Sequence, residues 1–156
     1  MSRFLDLDGV RAEMKDPFPS GRRSARQLGE HLARLVWESF SDYLTDPETL
    51  EMFSQLRIPV EDGLPPETAA EELLIFHMWV HSRALQLSFF QRVPESTLRE
   101  VLDHLHRAVF EDMVANGTER THIPVFEQRV GARYASYYPA AESSDESVGN
   151  ALLDHL

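Results

Sequence analysis

His77 and His81 stand four residues apart in the most apolar stretch of the chain. On a helix that spacing puts both side chains on one face about a turn apart, which is how a helix offers two imidazoles to a metal ion or a haem iron. Ser88 and Arg92 continue nearly the same face. Two ligands are not a site, so further donors are sought on other helices. His106 lies at the margin of the apolar stripe of the following helix, and His31 at the corresponding margin of the first long one, while His104 points further from its stripe. There is no His-Glu-x-x-His. Within the predicted helices, the nearest approach to the Glu-x-x-His of carboxylate-bridged di-iron bundles is Asp103-x-x-His106, whose aspartate projects away from the core. Neutral, hydrogen-bonded histidines that take part in packing are therefore expected. A metal or haem site of His77, His81 and His106 is the competing expectation.

Arg133 falls between Phe126, Val130 and Tyr137 on the wheel of its predicted helix. An unpaired charge in an apolar stripe is costly, so Arg133 needs a partner. A carboxylate on a neighbouring helix or the face of Tyr134 or Tyr137 would serve, with the arginine stem covering apolar surface. An anionic small molecule at the bundle end is the functional alternative. Trp79, Tyr134 and Tyr137 belong to an aromatic set that would line such a ligand cavity or simply fill the core. The ligand-binding candidates are thus Arg133, Tyr134, Tyr137, Trp79, Ser88 and Arg92. No Gly-x-Ser-x-Gly elbow, glycine-rich phosphate loop or marked acid and base pair is present, so no catalytic residue is assigned.

The elements that would position these residues are all helical. Ser24-Ala-Arg-Gln27 has the spacing of a capping box, and Leu28, Leu32, Leu35, Val36, Phe40 and Tyr43 follow at intervals of three and four. Asp46-Pro47 reads as an N-cap and first helical position of a short helix that stops near Pro59. Pro65-Pro66 leads into the central helix, roughly 67–92, which is apolar on most sides and must be covered on most sides. Val93-Pro94 ends it, and a fourth helix carries Leu98, Val101, Leu102, Leu105, Val109 and Met113 to a stop at Asn116-Gly117. Pro124 opens a fifth helix, with Pro139 as its stop. Residues 140–146 read as an acidic link, and Val148, Leu152, Leu153 and Leu156 as a short amphipathic end. Met1–Met14 is compatible with a short helix or arm, and Lys15–Gly21 with a loop.

The expected architecture is all-α: a bundle of about five to six helices around residues 67–92, forming one domain over 1–139 with a link and terminal segment over 140–156. A chain of 156 residues is long enough to bury a core of this kind. There are no cysteines, which excludes disulfides, thiolate metal sites and a cysteine nucleophile. The longest uninterrupted apolar runs, Leu73–Phe76 and Met78–Val80, are far short of the ~18 residues that suggest a membrane span. With acids near the N-terminus, a cytoplasmic protein is expected. The net charge of −11 disfavours nucleic acid and anionic membranes as partners, and the one basic cluster, Arg22-Arg23 with Arg26, is small. The functional expectation is a non-catalytic interaction or regulatory module without a cofactor. It would form a homodimer and offer its terminal amphipathic segment to a protein partner. The alternative is a bundle that binds a metal, haem or small ligand through His77 and His81.

Overall fold

The computed structural model describes residues 24–156. Met1–Met14, Lys15–Gly21 and Arg22-Arg23 lie outside them. The described chain is all-α, with about 80% of its residues in helices and no strand. Six α-helices follow one another: α1 (Ala25–Thr45), α2 (Pro47–Gln55), α3 (Glu67–Phe89), α4 (Glu95–Ala115), α5 (Ile123–Ser143) and α6 (Asp145–Leu153), with a 3-10 turn over Arg120–His122. They form two compact units. The first takes the described part of Met1–Val36 and Val80–Ile123, the second Trp37–Trp79 and Pro124–Leu156.

Local chemistry explains most boundaries. Ser24 and Gln27 close a reciprocal capping box: Gln27 N–H donates to Ser24 Oγ (3.1 Å), and Ser24 N–H donates to Gln27 Oε1 (3.0 Å). Asp46 accepts from Glu48 N–H (2.9 Å) with Pro47 at the first helical position. At the end of α4, Gly117 has φ +107°, Gly117 N–H bonds to Val114 O and Thr118 N–H to Met113 O, which is the Schellman pattern. Asp62-Gly63, with φ of 52° and 77°, turns the chain between Glu61 and Leu64, whose backbones pair in both directions.

Three boundaries differ from the sequence expectation. The short helix α2 ends at Gln55, because Arg57 takes φ 59° before Pro59 is reached. The central helix ends at Phe89, where Gln91 adopts φ 60°, so Arg92 lies beyond it. Pro139 does not stop α5, which runs on to Ser143. A proline removes one intrahelical donor and crowds the carbonyl four residues back. Here both Pro139 and Ala135 are exposed, so water can serve the freed carbonyl. The expected link shrinks to Ser144, which caps α6 by accepting from Ser147 N–H (3.0 Å).

Buried runs over Glu72–Ile75 and His77–Ser82 leave no side of α3 open along that length, as its all-round apolarity requires. In the second unit, Leu44, Phe53 and Leu73 form a core cluster against which Phe40, Tyr43, Leu50, Leu152 and Leu156 pack. The terminal amphipathic segment therefore spends Leu152 and Leu156 on its own chain, with Val148 also buried, while Leu153 stays 45% exposed. In the first unit, α4 buries Val101, Leu105, Val109 and Met113 as its periodicity predicts. Its contact with α1 is set by Gly29. A Cβ there would lie 2.6 Å from His104 Cβ, 2.7 Å from Val101 O and 2.8 Å from Leu105 N. Gly29→Ala should lower stability by about 1–3 kcal/mol through overpacking, despite alanine's higher helix propensity. Urea unfolding checks this; an unchanged or raised midpoint would contradict the close approach.

Candidate functional site

The second unit holds a partly buried cluster of ion pairs between α3 and α5. Glu71 and Glu72, in the second turn of α3, face Arg129 and Arg133, four apart on α5. Arg133 binds Glu72 through two parallel bonds, Nε to Oε2 and Nη2 to Oε1, each 2.8 Å. Arg129 Nη1 donates to Glu71 Oε2 at 2.7 Å, and its Nε lies 3.9 Å from Glu72 Oε1. The Glu72 side chain is 7% exposed and that of Arg133 23%. Two-point matching of a planar guanidinium to a carboxylate is the strong form of this contact. The bond to Glu72 raises the Arg133 pKa further above its ordinary value. Glu72 is thus the carboxylate partner expected for Arg133 from a neighbouring helix, and it occupies the place that the alternative, an anionic small molecule, would take.

The aromatic candidates continue this interface. Tyr137 is fully buried, with Phe76 at 5.5 Å and Trp79 at 5.4 Å between ring centroids. Tyr138 meets Trp79 at 5.8 Å and Tyr134 at 6.1 Å. The Tyr137 hydroxyl is buried with no hydrogen-bond partner among the described residues. Burial, reinforced by the Glu72 carboxylate and opposed by Arg133, pushes its pKa well above that of an ordinary phenol. Tyr137 is therefore a neutral group at physiological pH, unsuited to act as a base. A Cβ built at Gly131 meets nothing within 4 Å, so the small pair Gly131 and Ala135 is not a close helix contact.

His77 is 1% exposed, its Nδ1 lies 3.1 Å from Ser39 Oγ, and the rings of Phe40, Tyr43 and Phe76 surround it at 5.5 to 6.3 Å. His81, also buried, follows one turn further along α3. His106 is half-buried and turns Nδ1–H back to Leu102 O (2.6 Å) on its own helix. His31 Nδ1 accepts from Arg34 Nη2 at 3.3 Å. No group of three His, Asp or Glu among the described residues is placed to hold a metal ion. Ser88 has a buried hydroxyl without a hydrogen-bond partner among those residues, and Arg92 is exposed past the helix end. The expected seam of His77, His81, Ser88 and Arg92 is thus broken before its last member.

Two features were not singled out from the sequence. Glu72 is one; its signal was a carboxylate directly beside the apolar run Leu73–Phe76, on a helix whose every side is needed for packing. The other is the exposure at the far end of α3, where Leu87 is 52% and Phe90 72% exposed. No family model, curated protein or solved structure matches this chain.

Breaking the α3–α5 ion pair leaves a buried carboxylate without its two-point partner, with Arg129 Nε 3.9 Å away. Arg133→Met should cost about 2–4 kcal/mol, and adding Glu72→Met should recover much of it, because a pair replaced by apolar groups no longer carries the desolvation cost. Chemical denaturation of the single and double variants measures both; a neutral Arg133→Met would remove the pair from the account. Tyr43 contributes to the alkaline limit. Burial, opposed by its hydrogen bond with Thr49 and assisted by Asp46, pushes its pKa up from 10.0 to about 12. The unfolded chain releases this proton first, so the contribution is complete below about pH 10 and lost as pH rises towards 12. Tyr43→Phe should flatten the loss of stability across that window in circular dichroism titrations, and an unchanged alkaline limb would contradict this.

Proposed function

We propose that the chain is a non-catalytic helical interaction module that self-associates through the end of α3. The observation that supports it is the pair Leu87 and Phe90, three residues apart and strongly exposed, within a stretch free of acids. Residues 73–94 contain no Asp or Glu but include Arg83 and Arg92, in a chain whose net charge is −11. Two copies with that charge repel one another over most of their surface. The end of α3 is where they can approach with least repulsion and bury apolar area in return. A two-fold arrangement sets the same patch against itself, Leu87 and Phe90 of one copy against those of the other. A contact centred on two side chains is smaller than the roughly 800 Å² per partner of a standard interface, so the association is weak and reversible.

The fate of the polar side chains points the same way. Glu72 is matched by Arg133, His77 has Ser39 beside it and His106 is turned to its own backbone. The alternative, a bundle binding metal, haem or a small ligand through His77 and His81, has no third His, Asp or Glu grouped with the pair among the described residues, which bears on a metal ion and not on haem or a small ligand. No described helix is long and apolar enough to cross a membrane. The cytoplasmic setting remains part of the proposal and rests on the cysteine-free composition.

Light scattering over a micromolar to millimolar range should reveal a concentration-dependent rise from monomer to dimer. Salt should strengthen it by screening the net charge. Phe90→Asp should abolish dimer formation without loss of helicity, since Phe90 is exposed. A wild-type protein that stays monomeric throughout, or a Phe90→Asp variant that dimerises as before, would overturn the proposal.

A further inference from the structure

Beside the Gly29 contact, in the first unit, α1 and α4 border an open groove of about 610 Å³ lined by Arg26, Glu30, Arg34, His104, Arg107, Ala108, Glu111 and Asp112. On α1 the lining repeats every four residues, and on α4 residues 104, 107, 108, 111 and 112 are related by steps of three and four, so each helix presents one continuous face to the space. Ala108 is the one small apolar residue among them.

The charges in the groove are not equally committed. Arg26 Nε is bridged to Glu30 Oε1 at 2.9 Å. Glu111 is drawn off by Arg120, which grips both its oxygens at 3.2 and 3.1 Å and lowers its pKa. Arg34 donates to His31 Nδ1 at 3.3 Å. Arg107 has no hydrogen bond or ion pair among the described residues, and neither has the His104 ring. With Glu30 and Glu111 neutralised, two guanidinium groups without a carboxylate of their own face the groove against one acid, Asp112. On a chain of net charge −11 this is a local reversal of sign.

We infer that this groove binds a phosphate-bearing small molecule, with Arg34 and Arg107 gripping the phosphate oxygens. A guanidinium offers paired N–H donors that match phosphate or carboxylate oxygens at two points, and phosphate, as the more highly charged of the two, gains more from a second arginine. The volume lies within the range of small-molecule sites, about 300–1,000 Å³, but the lining is polar and charged where most such sites are apolar. That excludes an apolar ligand and fits a compact polyanion such as a diphosphate.

The probe is pyrophosphate, with inorganic phosphate in parallel, titrated into the full chain by calorimetry and by amide chemical-shift mapping at constant ionic strength against chloride. Saturable binding that moves amides of α1 and α4 around Glu30, Arg34 and Arg107 is expected, with pyrophosphate the tighter of the two. Arg34→Gln and Arg107→Gln should each weaken it at least tenfold. Arg99→Gln, an exposed residue of α4 that does not line the groove, should leave it unchanged. All three positions are exposed, and circular dichroism verifies that each variant keeps its helices. Absence of saturable binding at millimolar pyrophosphate, or binding indifferent to both groove variants, would overturn the inference. So would an equal loss with Arg99→Gln, which would mean unspecific charge attraction. Dimerisation through Phe90 is read separately, so either result can fail without the other.

Discussion

A carboxylate held at 7% exposure between helices has to be matched, and the match made by Arg133 governs the second unit. Glu72 sits next to the apolar run of α3, where solvent cannot serve it, and leaving it unpaired would cost several kcal/mol. The two-point contact with Arg133 fixes the rotation of α5 about its own axis. Once Arg133 faces α3, helical geometry sends Phe126, Val130 and Tyr137 to the same side, and all three are buried. Tyr137 then lies against Phe76 and Trp79, one and two turns along α3 from Glu72. One buried charge thus sets the register of an aromatic interface. Such pairs select an arrangement more than they add net stability.

The first unit relies on a different constraint. Gly29 lets α1 come so close to α4 that any side chain at that position would press on backbone atoms of Val101 and Leu105. The contact is made by backbone atoms and the His104 Cβ. The charged residues are displaced to its flank, where Arg26, Glu30 and Arg34 face His104, Arg107 and Glu111 across open space. Close approach at a glycine and a charged groove beside it are therefore two consequences of one helix crossing.

Helix identity was legible in the sequence because caps and periodicity are local: the Ser24–Gln27 box, the Asp46-Pro47 start and the Asn116-Gly117 stop each act within a few residues. The need for a partner at Arg133 was legible too, since charge in an apolar stripe is a local conflict. Which residue would answer it was not, because Glu72 lies 61 positions away and only the folded chain brings the two together. Pro139 misled as a stop signal since its cost depends on whether the freed carbonyl reaches water, a matter of exposure and not of residue type. The spacing of His77 and His81 marks a shared face of α3, but a third ligand would have to come from another helix, which spacing along one helix does not place. The Gly29 contact and the groove beside it are tertiary facts without a sequence signature.

What α3 leaves uncovered gives the chain its proposed role. Its middle is consumed by packing, with Glu72 matched by Arg133; its acid-free end keeps Leu87 and Phe90 in solvent. Hydrogen exchange of the full chain at increasing protein concentration tests this most directly, because it reports where copies meet as well as whether they do. The account predicts that amides of residues 86–92 gain protection with concentration while those of α6 do not. Protection independent of concentration, or gained instead around the exposed Leu56, Val60 and Leu64, would contradict it.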